Sequence, residues 1–132
     1  MKEIYLVSTI IFINHKVLCL SSNDSLFTPS FELPTLRLLD WNKNKPWLEK
    51  CFSDKIHAPI HLLGFFSMNK SHDENFSIVH EYILASISKD SLKLFGSHGY
   101  SFIDYSNLND SPISNQDKNI IRQALSMVSY SK

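Results

Sequence analysis

Apolar residues form two runs near the start of the chain, and a short polar segment separates them. The first run extends from Ile4 to Ile13 and is rich in β-branched side chains, and the second extends from Lys16 to Ser21. Two such runs joined through Asn14 and His15 predict antiparallel strands with a tight turn. Because the first run is apolar on both faces, it is typical of a central strand that is covered on each side. The polar segment from Ser22 to Ser30 then predicts a loop.

A helical period follows in the middle of the chain. Apolar residues recur at every fourth position and form one stripe, which consists of Leu48, Phe52 and Ile56. This stripe predicts an amphipathic helix over Pro46–Ile56 that packs against a sheet. Pro46 suits the first turn of a helix, and either Asn44 or Lys45 would precede it as the cap.

The second half of the chain predicts further strands and a final helix. Ile60–Met68 and Phe76–Ser88 have the composition of strands, and Tyr100–Tyr105 has that of a shorter one. The segment Lys93–Gly99 fits either a short strand or a turn. A capping serine predicts a last helix over Ser114–Ser129. The apolar stripe of that helix consists of Ile120, Ile121, Ala124, Leu125 and Val128.

Length and charge restrict the class of protein. The 132 residues, 43% of them hydrophobic, suffice for one globular core, so we expect a single domain over residues 1–132. Thirteen basic and thirteen acidic residues cancel, so no overall charge attracts nucleic acid or an anionic membrane. No apolar run has the length of a membrane-spanning helix, and the N-terminus does not fit a secretion signal. Since Cys19 and Cys51 are far apart in sequence, we expect reduced thiols and a cytoplasmic location.

The stretch from Phe31 to Phe66 has a distinct layout: a strand end, a proline turn, a long loop, an amphipathic helix and a returning apolar strand. This layout resembles the Nudix (MutT-like) hydrolase superfamily, whose diagnostic element is a loop–helix–loop box after a Glu-Leu-Pro-Gly-Gly turn. Three residues of that turn are present here, namely Glu32, Leu33 and Pro34. Thr35 and Leu36 stand where the family has its two glycines.

The resemblance implies an α/β fold, specifically a Nudix-like α/β/α sandwich with a mixed β-sheet between helices. The box helix Pro46–Ile56 would lie on one side of the sheet and Ser114–Ser129 on the other. In the family, glutamates at positions i, i+3 and i+4 of the box helix place three carboxylates on one face. Those carboxylates hold magnesium or manganese against a diphosphate, because hard cations prefer oxygen ligands.

The box itself is degenerate in this chain. Aligned without gaps from Glu32, Lys50 falls on the arginine of the box, and Cys51, Asp54 and Lys55 fall on the three helical glutamates. Asp54 alone retains a carboxylate. Lysine at the third position opposes metal binding, because an ammonium about 4 Å from a divalent cation is repelled by roughly 8 kcal/mol before relaxation at an effective dielectric of about 20. We therefore expect no metal cofactor; Mg or Mn would be needed only if the chain were a divergent hydrolase.

Other carboxylates offer replacements for the lost ligands. Glu81, on a predicted strand, is the most interesting of them because the implied fold could direct it toward the box helix, although a solvated or ion-paired strand residue is the simpler interpretation. The remaining candidates are Glu32, Asp73 and Glu74. Asp54 and Glu81 are thus the candidate catalytic residues, and Asp54 is the candidate metal ligand.

Four aromatic residues cluster on the substrate side of the fold that the resemblance implies. They are Phe27, Phe31, Trp41 and Trp47. Such side chains can stack on a nucleotide base, which makes them candidate ligand-binding residues. Aromatic residues also fill cores and anchor protein interfaces, so both alternatives stay open.

The leading hypothesis is a Nudix-fold protein that has lost metal-dependent diphosphate hydrolysis and binds a nucleotide-type small molecule or a protein partner. The alternative is a divergent Nudix hydrolase that acts on nucleoside diphosphate-linked substrates through replacement carboxylates. A third possibility is a subunit that uses the domain only for assembly, and a homodimer is possible. The sequence indicates no nucleic-acid partner and no membrane.

Overall fold

The first strand, β1 (Lys2–Ile13), lies at the centre of the fold in a computed structural model that describes residues 2–13, 15–22, 30–38, 44–72, 74–88 and 100–130. The other elements, in chain order, are β2 (Lys16–Ser22), β3 (Ser30–Glu32), β4 (Thr35–Leu38), α1 (Lys45–Ile56), β5 (Ile60–His72), β6 (Phe76–Ile87), β7 (Tyr100–Asp104), a 3-10 helix (Tyr105–Asp110) and α2 (Asn115–Tyr130). The segment Lys93–Gly99 and most of the loop predicted between Ser22 and Ser30 lie outside the described residues.

Both edges of β1 are paired. Along one edge it runs parallel to β6, and along the other it is antiparallel to β4 in its first half and to β2 at its end. β5 pairs with the outer edge of β6, whereas β3 and β7 both pair with β2. The sheet is therefore mixed, and the predicted antiparallel pairing of the first two strands is confirmed.

The two faces of the sheet carry separate cores, because successive side chains of a strand point to opposite faces. Val7 and Ile11 of β1 belong to the core beneath α1, whereas Ile10 belongs to the core beneath α2. From α1 the first core receives Leu48, Phe52 and Ile56. From α2 the second core receives Ile120, Ile121 and Ala124. The α/β/α sandwich with a mixed sheet between helices, and the central position of the first strand, are confirmed.

The boundaries of α1 follow from its caps. The helix begins at Lys45, one residue before the predicted start, and Asn44 is the cap because its side-chain Oδ1 accepts the Trp47 N–H at 2.8 Å. The helix ends at Ile56, and His57 caps it. The φ of His57, 57°, is left-handed, and its backbone N–H donates to the Ser53 carbonyl.

Two later elements differ from the sequence prediction in length. β5 continues to His72, four residues beyond Met68, because its ladder with β6 extends through polar residues as far as Ser77. Backbone pairing does not require apolar side chains, so hydrophobic pattern alone missed this extension. The late strand ends at Asp104, whose carboxylate accepts the Ser106 N–H and starts the 3-10 helix.

The last helix begins as its capping signal predicts. The Ser114 hydroxyl oxygen accepts the Asp117 N–H at 3.2 Å, and α2 starts at Asn115, directly after Ser114. Neither this helix nor any other in the described residues combines the length and apolar character needed to cross a bilayer.

The burial of α1 generates a stability prediction for Phe52, which is fully buried against the sheet. The change Phe52→Ala should lower the free energy of unfolding by about 3 to 5 kcal/mol, because it removes a large side chain from a packed core. Chemical denaturation measures the loss, and Lys50→Ala on the exposed face serves as the matched control. A loss below about 1 kcal/mol would show that this face of the helix does not pack as described.

Candidate functional site

The box positions of α1 lie on its outer side. Cys51 is half-buried, and Asp54 and Lys55 are both exposed, while the apolar stripe of the same helix faces the sheet. Within the residues that the structure describes, no three His, Cys, Asp or Glu side chains are grouped so that they could hold a metal ion. The donor set of these described residues therefore does not fit the magnesium or manganese ion that the family resemblance implies.

The two candidate catalytic carboxylates line different cavities. Glu81 is 5% exposed and lies in the wall of an apolar cavity of about 260 Å³ between the start of α1 and strands β5 and β6. Asp54 lies instead beside a depression at the end of α1, together with His57 and Pro59. Because Glu81 is buried, the simpler interpretation of this residue as a solvated position on the strand is wrong. The geometry brings no second carboxylate next to Asp54 among the residues of that depression.

Two further side chains of α1, which the sequence analysis did not single out, attach the helix to β5. Glu49 Oε1 accepts the Leu62 N–H at 2.9 Å, and Ser53 Oγ accepts the Ile60 N–H at 3.1 Å. Both bonds satisfy backbone donors at the start of the strand. The carboxylate of Glu49 thus has a structural partner in the backbone of β5.

The candidate aromatic residues do not form one cluster in the described part of the chain. Phe27 and Trp41 lie outside the described residues. Trp47 is 45% exposed on α1, whereas Phe31 is half-buried in β3 on the side of α2. Phe31 lines two neighbouring cavities, and one of them has the features of a ligand site.

This cavity, which we call the α2-side pocket, has a volume of about 330 Å³. Its walls come from the four strands β1, β3, β4 and β6, from the segment before α2 and from the start of α2. The lining residues are Leu6, Phe31, Glu32, Thr35, His80, Pro112, Ser114, Gln116 and Asp117. An aromatic wall combined with a few converging polar groups is characteristic of small-molecule sites, and the volume falls within their range of roughly 300 to 1,000 Å³.

A chain of side-chain hydrogen bonds forms one wall of the α2-side pocket. Thr35 donates its hydroxyl proton to the Leu33 carbonyl at 2.8 Å, so it can only accept from Ser8, whose Oγ lies 2.5 Å away. Because Ser8 donates its only hydroxyl proton to Thr35, its oxygen must accept the hydrogen bond from His80 Nε2, which lies 2.6 Å away. This order fixes the tautomer of His80: Nε2 carries the proton and Nδ1 carries a lone pair.

Tyr82 continues the chain from His80 to α2. Its hydroxyl lies 3.4 Å from both His80 Nδ1 and Asp117 Oδ1, and it accepts a hydrogen bond from Gln116 Nε2 at 2.7 Å. The rings of His80 and Tyr82 are stacked, with centroids 4.3 Å apart and planes inclined by 16°. The first turn of α2 is thereby joined to the sheet through a buried polar layer.

Burial shifts the protonation of this layer toward neutral forms. It lowers the pKa of His80 to about 4, so the imidazole is uncharged at neutral pH. Burial, followed by the charge of Asp117, raises the pKa of Tyr82, and the same two causes raise the pKa of Cys19 to about 12. Burial also raises the pKa of Asp117, although hydrogen bonds from the Leu33 backbone and from Tyr82 oppose that shift.

This arrangement suits binding rather than nucleophilic chemistry. Ser8 makes the short contact with His80 that a nucleophile would need, but its side chain is fully buried and is absent from the lining of the pocket. Its proton is also directed to Thr35 rather than to the imidazole. The residues that reach the pocket are hydrogen-bonding groups and apolar walls, which can hold and orient a planar polar ligand.

The exposed box positions generate a metal-binding prediction. Because Cys51 and Lys55 are not in the core, the double change Cys51→Glu and Lys55→Glu should fold and, with Asp54, should restore carboxylates at i, i+3 and i+4. We expect the variant to bind manganese more tightly than the parent in calorimetry. The matched control is Cys51→Gln with Lys55→Gln. Equal manganese affinity in a folded variant would mean that the ungapped alignment of the box is misplaced.

The half-buried imidazole of His80 generates a pH prediction. The folded pKa of His80, about 4, lies below the ordinary value of 6.5, so between those values the unfolded chain binds more protons. Stability from this residue is therefore complete above pH 6.5 and is lost as pH falls toward 4. Asp117, whose pKa is raised, acts in the opposite direction. Denaturation midpoints from pH 7.5 to 4.5 should fall less steeply in His80→Gln; an unchanged slope would contradict the prediction.

Comparison with known proteins identifies the fold. No protein-family model matches the chain, and no curated protein sequence matches it. Among solved structures, the E. coli ORF135 protein is similar with a TM-score of 0.73 at 9% identity, over 98% of this chain and 94% of that one. A Nudix hydrolase from Nitrosomonas europaea is similar with a TM-score of 0.73 at 7% identity, over 95% and 90% of the two chains.

A longer protein also contains this fold. Shewanella oneidensis NrtR, solved with a 27mer DNA, is similar with a TM-score of 0.66 at 15% identity; the match covers 96% of this chain and 62% of NrtR. This chain therefore spans less than two thirds of NrtR. At these identities the likeness concerns the backbone arrangement, and fold by itself does not determine activity. What the neighbours establish is that this chain has the fold of the Nudix hydrolases.

Proposed function

We propose that this chain is a Nudix-fold binding protein that takes a nucleotide-type ligand in the α2-side pocket and does not hydrolyse diphosphates with a metal ion. The observation that carries the proposal is the contrast between the two faces of the sheet. On the α1 face, the box retains one exposed carboxylate, Asp54, beside the exposed Lys55. On the α2 face, an aromatic and polar pocket lies above a complete hydrogen-bond chain.

The loss of hydrolysis rests on the charge at the box. Metal-assisted attack on a diphosphate needs a cation that neutralises developing negative charge and orients a water molecule. One aspartate next to a lysine provides neither enough ligands nor a negative field. The divergent-hydrolase alternative would require replacement carboxylates to meet Asp54, and Glu81, the most interesting of those candidates, lines a separate cavity.

The binding role rests on the lining of the α2-side pocket. Phe31 offers a ring on which a base can stack, with Leu6 and Pro112 as further apolar walls. Gln116 and Asp117, in the first turn of α2, supply hydrogen-bonding groups at the same cavity. The Nudix neighbours support a nucleotide-type ligand only by analogy of fold.

Protein interaction is a second candidate function, and a specific observation favours it. Leu63 and Phe65, on the edge strand β5, are 65% and 63% exposed. Large apolar side chains beside an edge strand are a typical surface for association, either with another protein or with a second copy of the chain. The β5–β6 register shifts between Leu62 and Gly64 and again between Phe65 and Ser67, in the same part of the strand.

Location and nucleic-acid binding are also proposals. Cys19 and Cys51 are free thiols, which is consistent with a reducing compartment such as the cytoplasm. The DNA in the NrtR structure belongs to that longer protein. With a formal net charge of zero, this chain has no overall attraction for DNA, and we propose no nucleic-acid partner.

Calorimetry and a turnover assay test the proposal together. The panel consists of nucleosides, nucleoside mono-, di- and triphosphates, dinucleotide polyphosphates and nucleotide sugars, with and without Mg²⁺ or Mn²⁺. We expect at least one of these classes to bind without metal, and we expect turnover far below the enzymatic range of roughly 1 per second. Phe31→Leu should weaken binding by removing the stacking surface, whereas Trp47→Leu, on α1, should leave it unchanged.

Two outcomes would contradict the proposal. The first is turnover near 1 per second that disappears in Asp54→Asn or Glu81→Gln, which would establish the divergent hydrolase. The second is the absence of binding by every compound in the panel. Turnover that survives both carboxylate changes would indicate a contaminating hydrolase, and the proposal would then stand on the binding result.

A further inference from the structure

The cavity between the start of α1 and strands β5 and β6, which we call the α1-side pocket, combines apolar walls with one pair of opposite charges. Its volume is about 260 Å³. Five of its lining residues are large and apolar, namely Leu48, Leu62, Leu63, Phe65 and Ile83. The charged side chains among the described lining residues are Lys45 and Glu81. This composition differs from that of the α2-side pocket and indicates a separate kind of ligand.

The inner part of the α1-side pocket is preformed. Leu48, Leu62 and Ile83 are buried in the core beneath α1. Two side chains of the helix, those of Glu49 and Ser53, accept backbone N–H groups at the start of β5 and so hold the helix against the strand. A cavity whose walls are already fixed costs little ordering when a ligand enters it.

The outer part of the pocket is an exposed apolar rim. Leu63 and Phe65 are 65% and 63% exposed, and both belong to the lining of the cavity. A ligand in the pocket would cover part of the apolar surface that these two side chains present to water. Exposed apolar side chains that border a cavity are characteristic of ligand-binding surfaces.

The charges of the pocket determine what a ligand must carry. Glu81 is 5% exposed, and a carboxylate among apolar side chains is best matched by a positive group that donates hydrogen bonds. An ionised carboxylate has about four acceptor sites, so Glu81 can accept from a ligand in addition to its contacts within the protein. Lys45 is exposed at the start of α1 and supplies the opposite charge. A zwitterion with one ammonium and one carboxylate matches both residues.

The volume of the pocket restricts the size of that zwitterion. Drug-sized ligands occupy pockets of roughly 300 to 1,000 Å³, whereas an apolar cavity of about 150 Å³ already takes a benzene ring. At about 260 Å³, the α1-side pocket lies between these values. A ligand of this size with an ammonium, a carboxylate and an apolar group is an apolar α-amino acid.

We propose that the α1-side pocket binds a free apolar α-amino acid, whose ammonium donates to Glu81 and whose carboxylate meets Lys45. The apolar side chain of the ligand lies against Leu48, Leu62 and Ile83. This site lies on the other face of the sheet from the α2-side pocket, so the inference is independent of nucleotide-type binding.

Calorimetry of the whole chain with L-leucine, L-phenylalanine and two leucine analogues tests the inference. At least one of the two amino acids should bind. 4-Methylpentanoic acid, which is leucine without its ammonium, should bind about tenfold or more weakly than leucine, because a hydrogen bond to a charged group is lost. 3-Methylbutylamine, which lacks the carboxylate, should lose less affinity because Lys45 is exposed and its charge is screened. Glycine, which has no apolar group, should not bind measurably.

Variants assign each part of the ligand to a residue. Glu81→Gln should bring the affinity ratio of leucine to 4-methylpentanoic acid close to one, and Lys45→Gln should do the same for the ratio of leucine to 3-methylbutylamine. Asp110→Asn, in the 3-10 helix, removes one exposed negative charge and is the control that should leave both ratios unchanged. Thermal unfolding verifies that each variant is folded. Where phenylalanine is the better ligand, 3-phenylpropanoic acid and 2-phenylethylamine take the place of the two analogues.

Three outcomes would overturn the inference. The first is the absence of binding by both amino acids. The second is equal affinity for leucine and 4-methylpentanoic acid in the parent chain, which would show that the ammonium is not recognised. The third is a folded Glu81→Gln variant that keeps the parent's preference for the ammonium, which would show that the assigned acceptor is wrong. None of these outcomes bears on nucleotide binding, which has its own panel of ligands.

Discussion

The pairing of β1 along both edges is the constraint on which the rest of the structure depends. Its parallel ladder with β6 extends over ten residue pairs, and its opposite edge pairs antiparallel with β4 and then with β2. The middle of this strand, from Val7 to Ile11, is also buried on both faces, so its neighbours supply an apolar layer on each side. Helices α1 and α2 are those layers, and the positions of both candidate sites follow from them.

The two faces of the sheet have different chemistry. The face beneath α1 is an apolar core to which the helix is attached through Leu48, Phe52 and Ile56, and the positions that the ungapped box alignment assigns to metal ligands are half-buried or exposed. The face beneath α2 combines an apolar core with a polar layer that includes Ser8, His80 and Tyr82. The residues of α1 that pack against the sheet are therefore distinct from those at the aligned ligand positions.

The polar layer beneath α2 is costly unless every group has a partner, because a buried donor or acceptor without one costs about 1 to 3 kcal/mol. Here each hydroxyl passes a proton to the next group, and the chain ends at the Leu33 carbonyl. The direction of the protons is fixed from His80 through Ser8 and Thr35 to the Leu33 carbonyl. At the other end, the Tyr82 hydroxyl lies between two acceptors, His80 Nδ1 and Asp117 Oδ1.

Hydrophobic pattern by itself predicted the principal elements of this protein: the central strand, the helix with its stripe at Leu48, Phe52 and Ile56, and the last helix with its cap at Ser114. The sandwich in which these elements are arranged was implied by the family resemblance. The helical spacing also predicted that Asp54 is exposed, because Asp54 does not belong to the apolar stripe of the helix. It did not give the length of β5, because the added residues are held by backbone pairing with β6.

Tertiary structure alone decided which polar residues meet. The polar layer beneath α2 is formed by residues that are far apart in sequence, and the local sequence does not distinguish any of them from an ordinary polar residue. These residues include Ser8, Thr35, His80 and Gln116. The register of β1 with β6 and of β1 with β4 brings three of them together, and the start of α2 adds the fourth. The strand pattern likewise did not predict the burial of Glu81. The alternation of side chains along a strand shows which face a residue is on, but it does not show what covers that face. Contacts between distant segments depend on register and packing, which no local pattern of residues encodes.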